Sequence, residues 1–329
     1  MKGKKKKKKG YEACSGCGVC LLSCPVWHRT QTMSLTRKAR AKAIQGGATY
    51  EEISRSIDLC LLCGACETAC PEGIGLADLN IHQRKELNKL RTEYPSWYPD
   101  RNFAADGRGR ISKTASLLLA GEGLRASQKV CETVMGLLQR KAETALALDD
   151  GQDIARVMEA GLPVPQERIE GFLSSLRPAR TLIVAEGWLH RVLRKWLPGK
   201  KILGLGESLL SSGSLRRHLG PEDLYVIESR GYHADHKRLV LFYDQLRRET
   251  GCQTNLDLQR TAFSTGASSL RGRKDIVAAG CIENARHILK GRRVKRVVVE
   301  DAADVEAFRR AADIPVIHLG SLGHKEQTL

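Results

Sequence analysis

No stretch of this 329-residue sequence approaches the ~20 consecutive apolar residues that a membrane-spanning helix needs. The longest candidate, around Leu117–Ala120, soon meets Glu122 and Arg125. The basic N-terminus is followed by no apolar segment, so it does not read as a secretory signal. No Walker motif, nucleophile elbow or Ser/His/Asp arrangement stands out, which leaves phosphate-loop and acyl-transfer chemistry without support. Gly204-Leu205-Gly206 begins like a dinucleotide fingerprint but lacks the third glycine and a placed acidic residue, so a tight strand-to-helix turn accounts for it equally. Aromatics are sparse, at 5%, and none interleaves with the N-terminal lysines as a single-strand nucleic-acid binder would require. Nucleic acid is therefore the weaker partner class. A soluble, cytoplasmic chain is expected, with peripheral association at the inner face of a membrane as an option for its basic tail.

Hydrophobic residues make up 42% of the sequence, ordinary for a globular protein. The net charge is +17, of which Lys2 and Lys4 to Lys9 supply seven. That run has nothing apolar to bury and is expected to be a disordered, solvated tail over residues 1–10. Such a run can also attract anionic lipid or an acidic partner.

Cysteine is abundant. Eight of the 11 cysteines form two runs of identical spacing, Cys14-x-x-Cys17-x-x-Cys20-x-x-x-Cys24-Pro25 and Cys60-x-x-Cys63-x-x-Cys66-x-x-x-Cys70-Pro71. In a reducing compartment such runs bind metal far more often than they form disulfides. Three thiolates two residues apart can wrap one face of a cubane while backbone amides point at its sulfides, and Gly16, Gly18 and Gly64 permit the irregular backbone this requires. Zinc sites commonly use two pairs, which leaves the third and fourth cysteine of each run unexplained. In two-cluster ferredoxins the fourth cysteine of each run serves the other cluster. Two [4Fe–4S] clusters are therefore expected. Cys14, Cys17, Cys20 and Cys70 would hold one, and Cys60, Cys63, Cys66 and Cys24 the other.

Between the runs, Ser34 caps an expected helix that Gly46-Gly47 ends, and Thr49-x-x-Glu52 reads as a capping box opening Glu51–Leu59. Two helices there point to an α-helical ferredoxin over residues 11–92. Arg37, Lys38, Arg40 and Lys42 read either as a solvated helix face or as charges that offset a cluster or meet a partner. His28, just past a cluster ligand, reads mainly as packing. A Pro-, Gly- and Arg-rich break from Tyr94-Pro95 to Arg110 leads into a helical segment within 93–178, with Leu117, Leu118, Val130, Val134, Leu137 and Leu138 at helical spacing. From 179 to 329, strands expected at Thr181–Ala185, Lys201–Leu205, Asp223–Ile227, Asp275–Ala279, Val294–Val299 and Val316–Leu319 alternate with helices such as Leu239–Thr250 and Glu283–Lys290. That alternation predicts an α/β domain with a mostly parallel sheet, and an α+β multidomain chain overall. The cysteine runs are the only internal repeat evident.

The two runs around a helical insert resemble the C subunit of heterodisulfide reductase and the iron–sulfur subunits of glycolate oxidase and anaerobic glycerol-3-phosphate dehydrogenase. Larger members of the group, such as the D subunit of heterodisulfide reductase, continue into cysteine-rich modules. Here Gly231-Tyr232-His233-Ala234-Asp235-His236 resembles the Tyr-His-x-x-Cys element, with His236 in place of cysteine. Leu258–Gly266 resembles the Cys-Cys-Gly element without its cysteines, and Ala279-Gly280-Cys281-Ile282-Glu283-Asn284 the Cys-x-x-Cys element, with Asn284 replacing the second cysteine. The resemblance implies a degenerate C-terminal domain. It also implies an electron-transfer subunit relaying between a flavoprotein dehydrogenase or reductase and a quinone or other carrier. Two alternatives stand beside it: a catalytic subunit using Tyr232, His233, His236 and Cys281, and an assembly or scaffold subunit with structural clusters. Cys131, Cys252 and Cys281 are expected to be buried small hydrophobes.

Overall fold

The computed structural model describes residues 9–103 and 114–323. Most of the lysine-rich tail and residues 104–110 of the Pro/Gly/Arg-rich break lie outside the described residues. The N-terminal part is helical: α1 (Val19–Leu22), α2 (Pro25–Thr30), α3 (Arg37–Gln45), α4 (Ser54–Leu59), α5 (Ala65–Thr68) and α6 (Leu76–Leu90). The cap of α3 is Thr36 and not Ser34, because the Thr36 hydroxyl accepts the Ala39 N–H at 3.2 Å. The Thr49/Glu52 box forms, with the Thr49 N–H donating to the Glu52 carboxylate at 2.8 Å and the Glu52 N–H to the Thr49 hydroxyl at 3.4 Å. It closes a turn, and the α-helix proper begins only at Ser54.

Beyond residue 114 the chain builds two four-stranded sheets, parallel throughout: β1 (Ser116–Leu119), β2 (Thr144–Leu146), β3 (Thr181–Val184) and β4 (Lys201–Gly204), then β5 (Asp223–Val226), β6 (Gln253–Thr254), β7 (Arg296–Val299) and β8 (Val316–His318). The strand orders are β2-β1-β3-β4 and β6-β5-β7-β8, the same topology twice. This second internal repeat escapes the sequence reading because its strands share texture and not residues. Its trace is Leu205-Gly206 after β4 and Leu319-Gly320 after β8.

The helical reading of 93–178 is corrected at two places. Leu117 and Leu118 lie on β1, and residues 144–146 form β2, both in the sheet that holds β3 and β4. The expected boundary at 178/179 thus cuts a sheet. A parallel strand covered on both faces is apolar without alternation, and over four residues that pattern does not differ from a helix face. Asp275–Ala279 is not a strand either. The Asp275 carboxylate accepts the N–H groups of Val277 and Ala278 at 3.0 and 2.9 Å, which winds the segment into a turn.

Alternate strand residues face different cores. Leu117, Leu119, Leu182 and Val184 pack with Ile154, Phe172 and Trp188 on the outer side of the first sheet. Leu224, Val226, Val297 and Val299 pack with Phe263, Cys281 and Phe308 outside the second. Leu118 and Ile183 meet Tyr225, Ile227 and Val298 in one shared core that joins the sheets. Cys131 and Cys252 belong to that shared core, so all three remaining cysteines are buried among apolar residues. Arg230, fully buried in this half, pairs with Glu159 at 2.7 Å and Glu186 at 3.2 Å.

Candidate metal centre

The two cysteine runs share one backbone design. Gly16 and Gly18 in the first run have φ of 83° and 82°, and Leu62 and Gly64 at the matching positions of the second have φ of 53° and 85°. Left-handed residues two and four places after the first cysteine curl the loop, and in the second run the Leu62 N–H donates to the Cys60 sulfur at 3.4 Å. At Leu62 this conformation costs about 1–2 kcal/mol. Burying its side chain against the core of the first sheet returns about 1.5–3 kcal/mol.

The eight cysteines sort into two cavities. The outer one is lined by Cys14, Cys17, Cys20 and Cys70, with Lys38 and Ile74. The inner one is lined by Cys24, Cys60, Cys63 and Cys66, with Arg40 and Leu35. The last cysteine of each run thus faces the cavity of the other run. Among the described residues no three His, Cys, Asp or Glu side chains converge as ligands of a single ion. A cubane makes no such demand, since each of its four irons takes one thiolate. Burial, reinforced by neighbouring thiols, pushes the Cys20 thiol up to about 12. Burial likewise raises Cys63 to about 12, and Cys24 and Cys66 upward. Four crowded thiols in a ring would hold anionic charge only against a compensating cation, which a cluster's iron supplies. The donor set fits the group.

Arg37 lies between the cavities and lines both. Its guanidinium donates to the Cys60 sulfur at 2.7 Å and to the Leu76 carbonyl at 2.9 Å. Arg40, 1% exposed, donates to the Ser56 hydroxyl at 3.1 Å and to Gln83 at 3.3 Å. Burial opposes ionisation of Cys60, yet Arg37, Arg40 and Arg84 outweigh it and hold that thiol below its ordinary value. The solvated-face reading of α3 is therefore corrected for Arg37 and Arg40, which turn inward. Lys42 is exposed, yet its Nζ donates to the Cys14 carbonyl at 3.0 Å, and Lys38 lines the outer cavity.

The C-terminal part backs the inner cavity. His233 approaches Gly64 so closely that a Cβ there would lie 2.9 Å from its own Cβ. The Ala262 N–H donates to His233 Nε2 at 3.1 Å, so Nδ1 carries the proton and donates to the Cys63 carbonyl at 2.8 Å. Burial keeps this ring neutral, with its pKa lowered to about 3. Leu61 fills the space that Gly266 leaves open. Arg84 bridges the Cys60 carbonyl and the Glu159 carbonyl, both at 2.7 Å, and Arg191 pairs with Glu67 at 2.8 Å. His28 packs as expected, its ring 5.1 Å from Phe263 and 4.4 Å from His287.

The alternative catalytic set does not assemble. Tyr232, His233 and His236 gather, with ring centroids 5.2–6.5 Å apart. Both nitrogens of His233 are engaged, and Cys281 sits at 0% exposure in the outer core of the second sheet. Gly204-Leu205-Gly206 is the tight turn of the plainer reading: β4 ends at Gly204, and a Cβ on Gly206 would strike the Glu300 carboxylate. Sequence reasoning missed Arg84 and the contact of His233 with Cys63. Neither carries a local signal, because both act across more than 20 residues of chain.

Among the described residues no helix is long and apolar enough to cross a membrane. The probable glycolate oxidase iron–sulfur subunit of Bacillus subtilis (strain 168) is 35% identical over 106 residues, covering 27% of this chain and 24% of that protein. The C subunit of the ferredoxin/F(420)H(2)-dependent CoB-CoM heterodisulfide reductase of Methanosarcina acetivorans is 28% identical over 96 residues, covering 29% of this chain and 54% of that protein. The chain therefore spans about a quarter of one relative's length and about half of the other's. Residues 10–74, which enclose all eight cysteines of the two runs, match the family model of the 4Fe-4S dicluster domain, and the resemblance read from those runs holds.

Proposed function

We propose that this chain is an electron-transfer subunit. In this reading Cys14, Cys17, Cys20 and Cys70 hold a [4Fe–4S] cluster in the outer cavity, and Cys60, Cys63, Cys66 and Cys24 hold a second in the inner one. The observation that carries the reading is the sorting of the eight cysteines into two rings of four, with the last cysteine of each run exchanged. When bound, such clusters accept and release single electrons at potentials set by hydrogen bonds, burial and nearby charge. The chain's own residues supply those levers. Arg37 hydrogen-bonds a ligand sulfur, Arg40 adds a buried positive charge, and His233 fixes the carbonyl of Cys63. The partner on one side would be a flavoprotein dehydrogenase or reductase, and on the other a quinone or another carrier, with peripheral membrane association as part of the same proposal. The names of the relatives support a place within an oxidoreductase complex.

Anaerobic purification, iron analysis and EPR of the reduced protein test this. About eight irons per chain with spin coupling between neighbouring clusters is the expected result. About four irons, or zinc alone, would overturn the two-cluster reading. The exchange of ligands is tested separately: Cys24→Ser should perturb the cluster of the Cys60–Cys66 run, and Cys70→Ser that of the Cys14–Cys20 run.

A further inference from the structure

The two cavities differ in how they meet solvent. The inner one is covered by His233 against Gly64 and by Leu61 against Gly266. The outer one carries Cys17, the single exposed cysteine among the described residues. Lysines frame that exposed edge. Lys38 lines the outer cavity, and its Nζ lies 3.7 Å from where a Cβ on Gly18 would stand. Lys42 lies over Gly16, and its Nζ donates to the Cys14 carbonyl at 3.0 Å. Lys9 pairs as a short parallel bridge with Ile74, another residue of the outer cavity, and its carbonyl accepts the Gly75 N–H at 3.1 Å. The acids nearby are engaged locally: Glu72 with Lys9 at 3.6 Å, and Glu12 with the Gly10 N–H at 2.7 Å.

We infer that this rim, Lys9, Lys38 and Lys42, is the docking surface for an acidic redox protein. The inference rests on the proposed electron-transfer role and adds where the partner sits. An electron partner must come close to the exposed Cys17 edge, and a lipid headgroup cannot take that part. Three cations around one edge select a partner whose own redox edge is ringed by carboxylates, and they speed its encounter. The exchange breaks and forms no bond: a reduced flavin on the partner loses one electron and the iron–sulfur protein gains it.

The test uses the full iron-loaded chain with flavodoxin, a small acidic flavin protein, as probe. Carbodiimide cross-linking followed by peptide mapping should place the links at Lys9, Lys38 and Lys42. The second-order rate of electron transfer from reduced flavodoxin should fall steeply with added salt, and about tenfold or more in Lys38→Glu/Lys42→Glu at low salt. Lys129→Glu/Lys201→Glu, on the first sheet and its covering helix, should stay within about twofold. Because Lys42 also bonds the cysteine loop, iron content and EPR are measured on each variant. Lys38→Glu alone serves if the double variant loses iron. Links concentrated elsewhere, an equal effect of the Lys129/Lys201 pair, or a salt-insensitive rate overturns the docking surface. So does protection of the same lysines by phosphatidylserine vesicles together with no link to flavodoxin, which would assign the rim to a membrane. A wild-type chain without iron would instead sink the electron-transfer reading itself.

Discussion

His233 offers the sharpest test of how the C-terminal half serves the cysteine runs. Its ring satisfies two buried backbone groups from opposite sides: Nδ1–H donates to the Cys63 carbonyl at 2.8 Å, and Nε2 accepts the Ala262 N–H at 3.1 Å. His233→Ala would orphan both, at about 1–3 kcal/mol each, and would leave a cavity where the ring stood. A total loss of about 4–6 kcal/mol is expected, a large share of the ~5–15 kcal/mol that holds a typical domain. Two polar replacements separate the roles. An Asn amide nitrogen reaches roughly where Nδ1 stands, so His233→Asn should keep the bond to Cys63 and lose the one to Ala262. His233→Gln places its oxygen near Nε2 and should do the reverse. Both variants should unfold at lower urea than the wild type by similar amounts. Only His233→Gln should release the iron of the inner cavity faster to a chelator, followed by the decay of that cluster's EPR signal. Equal release from the two variants, or release in both at the wild-type rate, would refute the claim that His233 positions the inner cysteine loop.

Arg37→Met removes the guanidinium that donates to the Cys60 sulfur. It should lower the potential of the inner cluster by about 30–60 mV, a three- to tenfold change in its redox equilibrium, and shift the outer cluster less; equal shifts in an EPR redox titration would count against the assignment. Leu62 holds a left-handed φ of 53° where the other run has Gly16. Leu62→Ala should cost about 2–5 kcal/mol. Leu62→Gly should cost no more than that, reversing the usual penalty of about 0.5–1 kcal/mol for glycine against alanine. Urea denaturation decides, and glycine being worse by the ordinary margin would remove strain from the account. Glu228 is buried, and burial, aided by Asp301, raises its pKa to about 8. A carboxyl whose folded pKa lies above its unfolded value stabilises most below the unfolded pKa, and that contribution is lost as pH rises towards the folded one. Relative to Glu228→Gln, the wild type should therefore lose about 1.4 kcal/mol per pH unit between pH 4.5 and 8, about 5 kcal/mol in all. A stability difference that stays flat across that range would show that Glu228 is ionised throughout.

What could be read from the sequence divides by the range of the cause. The cysteine spacing acts over about ten residues and so marks each run as a metal-binding loop, whereas the exchange of the fourth cysteine joins positions tens of residues apart and is expected only from the pattern of two-cluster ferredoxins. The turns at Gly46-Gly47 and at the Thr49/Glu52 box are local and readable for the same reason. The strands at Leu117 and at residues 144–146 are not readable as strands, since what makes them strands is distant pairing: β1 lies beside β3, about 65 residues later, and β2 lies beside β1, about 28 residues before it. The inward turn of Arg37 and Arg40 was hidden in the same way. On a helix such as α3 a run of basic residues resembles a solvated face, and only the cavities beside it show that three of the four, Arg37, Lys38 and Arg40, line sulfur-lined space.

The same division explains why the C-terminal half lacks a cysteine site of its own and yet bears on the iron–sulfur region. Its three cysteines are spread over two apolar cores, where they act as small hydrophobes. Its groups at the boundary instead bond the second cysteine run and its neighbours: His233 the Cys63 carbonyl, Arg191 the Glu67 carboxylate, and the Glu159 carbonyl, through Arg84, the Cys60 carbonyl. Each of these is a bond to the frame that holds ligands and not to a ligand sulfur. A domain that contributed chemistry would present side chains into the cavity. One that contributes hydrogen bonds to the loop behind it sets how rigidly that cavity is held. The duplicated α/β half is thus the wall of the inner cavity, whereas the outer cavity keeps an exposed edge at Cys17.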